Sequence, residues 1–330
     1  MFWGINITSN IIFLGTGGDS YVIGKQIRAS GGIILQVGDD QYHIDPGPGS
    51  LVMAKEADIN LRANTALFVT HNHLNHCNDL NAVIDAMTYS GFDKKGVLVA
   101  NNTVINGSEN RQPFLHKYYR DCLERFIILE EGRKVGINDI EIKAIRAKHS
   151  EPNAIGFKFI TPNYTLTYTG DTAYSAETIS EYENSNVLIL NVPCLKKEES
   201  RNNLCKEDVI KIIKKVNPRL AIITHFGVNF LKADPLYEIR EIQRETDCQV
   251  IAAKDGMVVN PVSYAVEQGQ KSLFRYAKKE EIRLHEFKQQ EKVKEVDEII
   301  EEKQTELGNE VSEETESEKQ QNNQITNDTT

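Results

Sequence analysis

The chain opens on short apolar runs broken by glycine and aspartate: NIIFLGTGG, then GGIILQVGDDQYHIDPGPG. Gly-Asp-Asp between GIILQV and YHI predicts a hairpin turn, so the opening reads as antiparallel strands. Helices are predicted over 49–58 and 75–91. In the second, Leu80, Val83, Ile84 and Met87 recur at helical spacing. VLVA (97–100) reads as a buried strand, and 113–123 as a short helix. A second group of strands follows: FIIL (126–129), IEIKAIRA (140–147), AIGFKFI (154–160) and YTLTYTG (164–170). Thereafter strand and helix alternate: VLILNV, a helix near 206–216, LAIIT, a helix near 235–246, QVIAA, MVVN. Strands followed by alternating elements, twice over, predict an α/β fold of two facing sheets with helices outside.

Near residue 265 the rhythm changes. Glu, Lys, Gln and Arg dominate 270–307, with sparse apolar positions (Val293, Val296, Ile300, Leu307). The expectation is a main domain over 1–265, a charged helical extension over 266–307 and a disordered polar tail over 308–330. Of the formal net charge of −10, residues 266–330 contribute 17 acidic against 10 basic side chains, leaving −3 for the remainder. A near-neutral body with an acidic tail lacks the basic footprint of a dedicated nucleic-acid binder. The expectation is that a protein partner, if there is one, binds through this tail. Five cysteines, scattered and never in CxxC, fit a reducing compartment. With no signal-peptide pattern and no membrane-length apolar run, the expectation is a cytoplasmic protein without membrane association.

The chemistry gathers on histidine. His71, His73 and His76 fall within HNHLNH, directly after the apolar run ALFVT. His149 follows IEIKAIRAK, Asp171 follows LTYTG, and His225 follows LAIIT. Each stands just past a strand-like run, where ligands gather in layered α/β folds. Neutral imidazoles with a carboxylate suit zinc and other first-row ions, manganese and iron among them. An aspartate shared between two ions would explain Asp171. A lone histidine at a strand end is more often structural, and His43, His116 and His285 are read that way. LGTGGDS is no dinucleotide loop, because Ser20 stands where the third glycine belongs.

HNHLNH, His149, TGD with Asp171 and THFG with His225 together resemble the metallo-β-lactamase superfamily, whose pattern is HxHxDH followed by a distant His, an Asp and a last His. LGTGG (14–18), HIDPGPGS (43–50) and AAKDGMVV (252–259) extend the resemblance over residues 11–260. It implies an αββα four-layer sandwich. It further implies one metal on His71, His73 and His149, a bridging Asp171, and a second metal on His76 and His225. Asp45 would orient the ligand loop. Asp171 and His225 would serve in catalysis, with a metal-activated hydroxide attacking a phosphodiester, carboxylic ester or lactone. The body would thus take a small-molecule or phosphodiester substrate.

Asn75 departs from the pattern, standing where the family has Asp. A neutral amide is a weaker ligand than a carboxylate and no general base. The expectation is a firm first zinc site and a weakened second one, with Asn75 at most a weak ligand. Within the family, the motifs look nearest to the branch containing the tRNA 3′-processing endonucleases and small metal-dependent hydrolases. Against the endonuclease itself, only 22 positions separate His149 from Asp171, too few for an RNA-gripping arm, and RNNLCKED (201–208) lacks that branch's extra histidine. The remaining alternative is a binding or regulatory protein with a degraded metal site.

Overall fold

The computed structural model describes residues 9–199 and 202–265. By its internal contacts the chain divides at residue 267. The expected helical extension, the polar tail and His285 lie outside the described residues.

The first sheet runs in chain order: β1 (Ser9–Gly15), β2 (Ser30–Val37), β3 (Asp40–Ile44), β4 (Asn64–Val69), β5 (Val97–Ala100) and β6 (Arg125–Ile128). The second holds β7 (Lys134–Ile137), β8 (Ile140–Arg146), β9 (Ile155–Ile160), β10 (Thr165–Tyr168), β11 (Val187–Asn191), β12 (Leu220–Thr224) and β13 (Val250–Ala252), also in order. A last strand, β14 (Val258–Val259), returns to pair antiparallel with β1. Each sheet is antiparallel in its first half and parallel in its second. The change falls at β3 in one sheet and at β10 in the other.

The period-two pattern of the strands sorts side chains between layers. On β4, Ala66 and Phe68 point into the core between the sheets, while Leu67 and Val69 point outward. Phe68 meets Phe157 and Phe159 of the opposite sheet edge-to-face, ring centres 5.3 and 5.1 Å apart. The outward residues pack under Leu80–Thr88 on one side; beyond the second sheet lie Lys206–Val216 and Pro235–Thr246. This is the αββα sandwich.

The predicted hairpin forms: Val37 pairs with Asp40 across Gly38-Asp39, and Gly38 takes φ +60. The helix expected over 75–91 is instead two, Leu74–Cys77 and Leu80–Thr88. Between them Asp79 turns its carboxylate away to accept the N–H groups of Gly49 and Ser50, 2.9 Å each, closing the start of Ser50–Glu56. The helix expected over 113–123 is confined to Lys117–Cys122. No described helix is long and apolar enough to cross a membrane. All five cysteines are unpaired and buried.

Candidate metal centre

Six side chains on four loops at the carboxyl ends of strands converge on one point. His71, His73 and His76 follow β4, His149 follows β8, Asp171 follows β10 and His225 follows β12. The backbone is held open for this. His225 sits at φ +64, and a Cβ on Gly18 would overlap the His225 carbonyl, so only glycine lets the first loop pass beneath it.

Hydrogen-bond partners on the outer ring nitrogens fix which way the lone pairs point. Thr70 Oγ1 gives its single hydrogen to Asp45, so His71 Nδ1, 2.9 Å away, must donate to it. His149 Nδ1 lies 2.8 Å from the carbonyl oxygen of Asn202, which only accepts. His76 Nδ1 donates to Asp45 Oδ2 at 2.8 Å. All three therefore turn Nε2 inward, toward the point where a cation would sit. His71 Nε2 and His149 Nε2 stand 3.0 and 3.1 Å from His73 Nδ1. Ligand nitrogens about 2.0–2.1 Å from a tetrahedral ion would be roughly 3.3 Å apart, so these three fit one cation with little movement. His76 Nε2 is buried and has no hydrogen-bond partner. Convergent ring nitrogens, one of them without a hydrogen-bond partner in the interior, fit a metal better than they fit an empty fold.

Asp171 lies between two groups. Its Oδ2 is 4.0, 3.8 and 3.4 Å from the Nε2 atoms of His71, His149 and His76. Its Oδ1 faces His225 Nε2 at 3.2 Å and accepts from Asn191 Nδ2 at 2.8 Å. Two triples could each hold an ion: His71, His73 and His149, and His71, His76 and Asp171. His225 borders the second, against Asp171 Oδ1 and with its ring 4.7 Å from that of His76. Asn75 turns its amide nitrogen inward, 3.2 Å from both His225 Nε2 and the Gly18 carbonyl oxygen. In this arrangement it acts as a donor, where a metal ligand must offer an oxygen.

Burial sets the charges. It pushes His71 well below the ordinary histidine value, helped by neighbouring His76, and brings His73 down to about 4 with His149 beside it. Both are neutral, as ligands must be. Burial would also depress His76, but Asp171 and Asp45 outweigh it and raise the group to about 10. With no ion bound, the extra proton sits on Nε2 facing Asp171 Oδ2 at 3.4 Å, and a cation would have to displace it. Burial opposes ionisation of Asp171, and His225 and His76 override it, holding the carboxyl well below the usual range.

Asp45 (φ +51) takes Thr70 N, Thr70 Oγ1, the Tyr168 hydroxyl and His76 Nδ1. It and Asp171 follow the strands at which the two sheets change direction, and they flank opposite nitrogens of His76. Sequence reasoning missed Tyr168, Asn191, Glu151 and Arg111. Glu151 is fully buried and accepts from Asn72 N and Asn101 Nδ2. The only hint in the sequence was a polar residue closing an apolar run, as Asn191 does in VLILN. His43 bonds Gly31 O away from the centre, and His116 begins a surface helix. Lys197 pairs with Asp208 at 2.8 Å.

The family model described as "Beta-lactamase superfamily domain" matches residues 41–226, and this chain belongs to that superfamily. An uncharacterized protein of Methanocaldococcus jannaschii is 33% identical over 251 residues, covering 76% of this chain and 94% of that one. Ribonuclease Z of Borreliella afzelii is 22% identical, covering 75% and 95%. Among solved structures, the metallo-β-lactamase fold protein YhfI of Bacillus subtilis superposes with a TM-score of 0.63 at 17% identity, covering 77% of this chain and 99% of that one. That structural likeness speaks for the fold.

Proposed function

We propose that this chain is a zinc-dependent hydrolase acting on a phosphodiester, working in a reducing, cytoplasmic compartment. The observation that carries the reading is the convergence of three inward Nε2 atoms and His73 Nδ1 around Asp171. The likeness to a ribonuclease favours phosphorus over carbon as the centre attacked. Five buried, unpaired thiols support the compartment.

His71, His73 and His149 would hold the first ion, and Asp171 with His76 the second. A cation there supplies polarisation of a substrate oxygen and a lowered pKa for water. The chain's own part is orientation. Asp45 and Thr70 set His76 and His71, and Asn202 sets His149. Asp171 stays ionised. With so low a pKa it is a weak base, and it acts chiefly by holding charge between the two triples. His225, its Nε2 3.2 Å from both Asp171 Oδ1 and the Asn75 amide nitrogen, lies beside the second triple as the further catalytic group.

The test is turnover of bis(p-nitrophenyl) phosphate and p-nitrophenyl acetate by the zinc-loaded full chain, beside chelator-treated protein, His71→Ala and His149→Ala. Diester turnover lost in all three controls is expected. Undiminished turnover in either variant would sink the proposal. One observation favours a second reading, a binding protein with a degraded second site: the Asn75 amide occupies His225 Nε2. Purified protein devoid of metal and of any hydrolysis would decide for it.

A further inference from the structure

Arg111 stands beside the centre with no ion pair among the described residues. The segment after Asn102–Asn106 is a tight loop: Ser108 N donates to Arg111 O at 2.8 Å and Arg111 N to Ser108 O at 3.2 Å. Gly107, at φ +79, makes room, since a Cβ there would press the Arg111 carbonyl at 2.6 Å. The loop aims Arg111 back at the histidine motif, where Nη1 donates to Asn72 Oδ1 at 2.7 Å. Asn72 is itself buried between His71 and His73, its backbone N–H held by Glu151. The guanidinium is thereby pinned at one corner, and its charge is near enough to His73 to oppose protonation of that ring.

Elsewhere Lys197 pairs with Asp208, and Lys206 with Glu238 and Glu241. Arg111 forms no ion pair among the described residues; its single described side-chain bond goes to a neutral amide. A fixed positive charge beside a site built for cations opposes their binding unless an anion joins them. The remaining guanidinium N–H groups form a fork of the kind that suits a phosphate.

We propose that Arg111 is a specificity-determining residue that grips an anionic phosphate oxygen of the substrate, selecting phosphate esters over neutral carboxylic esters and lactones. This deepens the phosphodiester reading and rests on it. The test titrates zinc-loaded full chain with inorganic phosphate by calorimetry, for wild type, Arg111→Lys and Arg111→Ala, with zinc content per chain as the check on folding. It also measures kcat/KM for bis(p-nitrophenyl) phosphate. Arg111→Ala should weaken phosphate by roughly ten- to a hundredfold, with Arg111→Lys between, at equal zinc content. The diester kcat/KM should fall by a similar factor through KM. Phosphate affinity within twofold of wild type in both variants overturns the assignment, and the phosphodiester reading survives if the wild type still turns over the diester. A wild type inert on the diester, whose phosphate affinity nonetheless collapses in Arg111→Ala, sinks that reading and leaves Arg111 an anion site.

Discussion

The amide nitrogen of Asn75 lies 3.2 Å from Nε2 of His225 and equally far from the carbonyl oxygen of Gly18. Asn75→Asp would set a carboxylate against that carbonyl. The metal-free variant should be less stable than wild type by about 1–2 kcal/mol, and zinc should restore it. Elemental analysis should find more zinc per chain in the variant, and melts with and without chelator should show the crossover. Two equally tight zinc ions in the wild type would contradict the weakened second site.

Asp45 bonds His76 while also holding Thr70 and Tyr168. Asp45→Asn keeps the shape but offers only one acceptor oxygen. Zinc affinity should drop about 10–100-fold, measured by competition with a chromophoric chelator. Unchanged affinity would reduce Asp45 to a turn residue before Pro46.

His43 is fully buried, and burial lowers it from 6.5 to about 4, against the bond to Gly31 O. The unfolded chain therefore binds a proton that the folded chain refuses between those values. Its contribution is intact above pH 6.5 and lost as pH falls toward 4, by up to about 3 kcal/mol. In metal-free protein, His43→Gln should flatten the acid limb of stability against pH measured by urea unfolding. Parallel curves for variant and wild type would refute this.

Phe68 is wholly buried between the sheets against Phe157 and Phe159. Phe68→Ala should cost about 3–5 kcal/mol, read as a lower urea midpoint. A loss under 1 kcal/mol would mean that the core closes over the gap.

The centre was largely legible because few side chains can offer a lone pair to a cation, and here imidazoles and a carboxylate each stand just past an apolar run. Arg111 and Tyr168 escaped because their roles exist only through distant partners, Asn72 and Asp45, and both residue types are common. In the fold, long elements such as β8 and Lys206–Val216 showed their period. The helices Ser20–Gly24 and Val228–Lys232 span little more than one turn, too little for periodicity to register. β7 was missed because it is a four-residue edge strand, largely exposed and carrying a glycine. The break at Asn78–Asp79 was invisible because it depends on the N–H groups of Gly49 and Ser50.

His76 is bonded on one nitrogen to the aspartate that follows β3 and faces on the other the aspartate that follows β10. Those strands belong to different sheets. The imidazole therefore works as a gauge of alignment: a slide of one sheet over the other by an ångström would open one side of it. Mechanical looseness in the interior, as after Phe68→Ala, should then show in metal retention while the circular dichroism of the strands still looks intact.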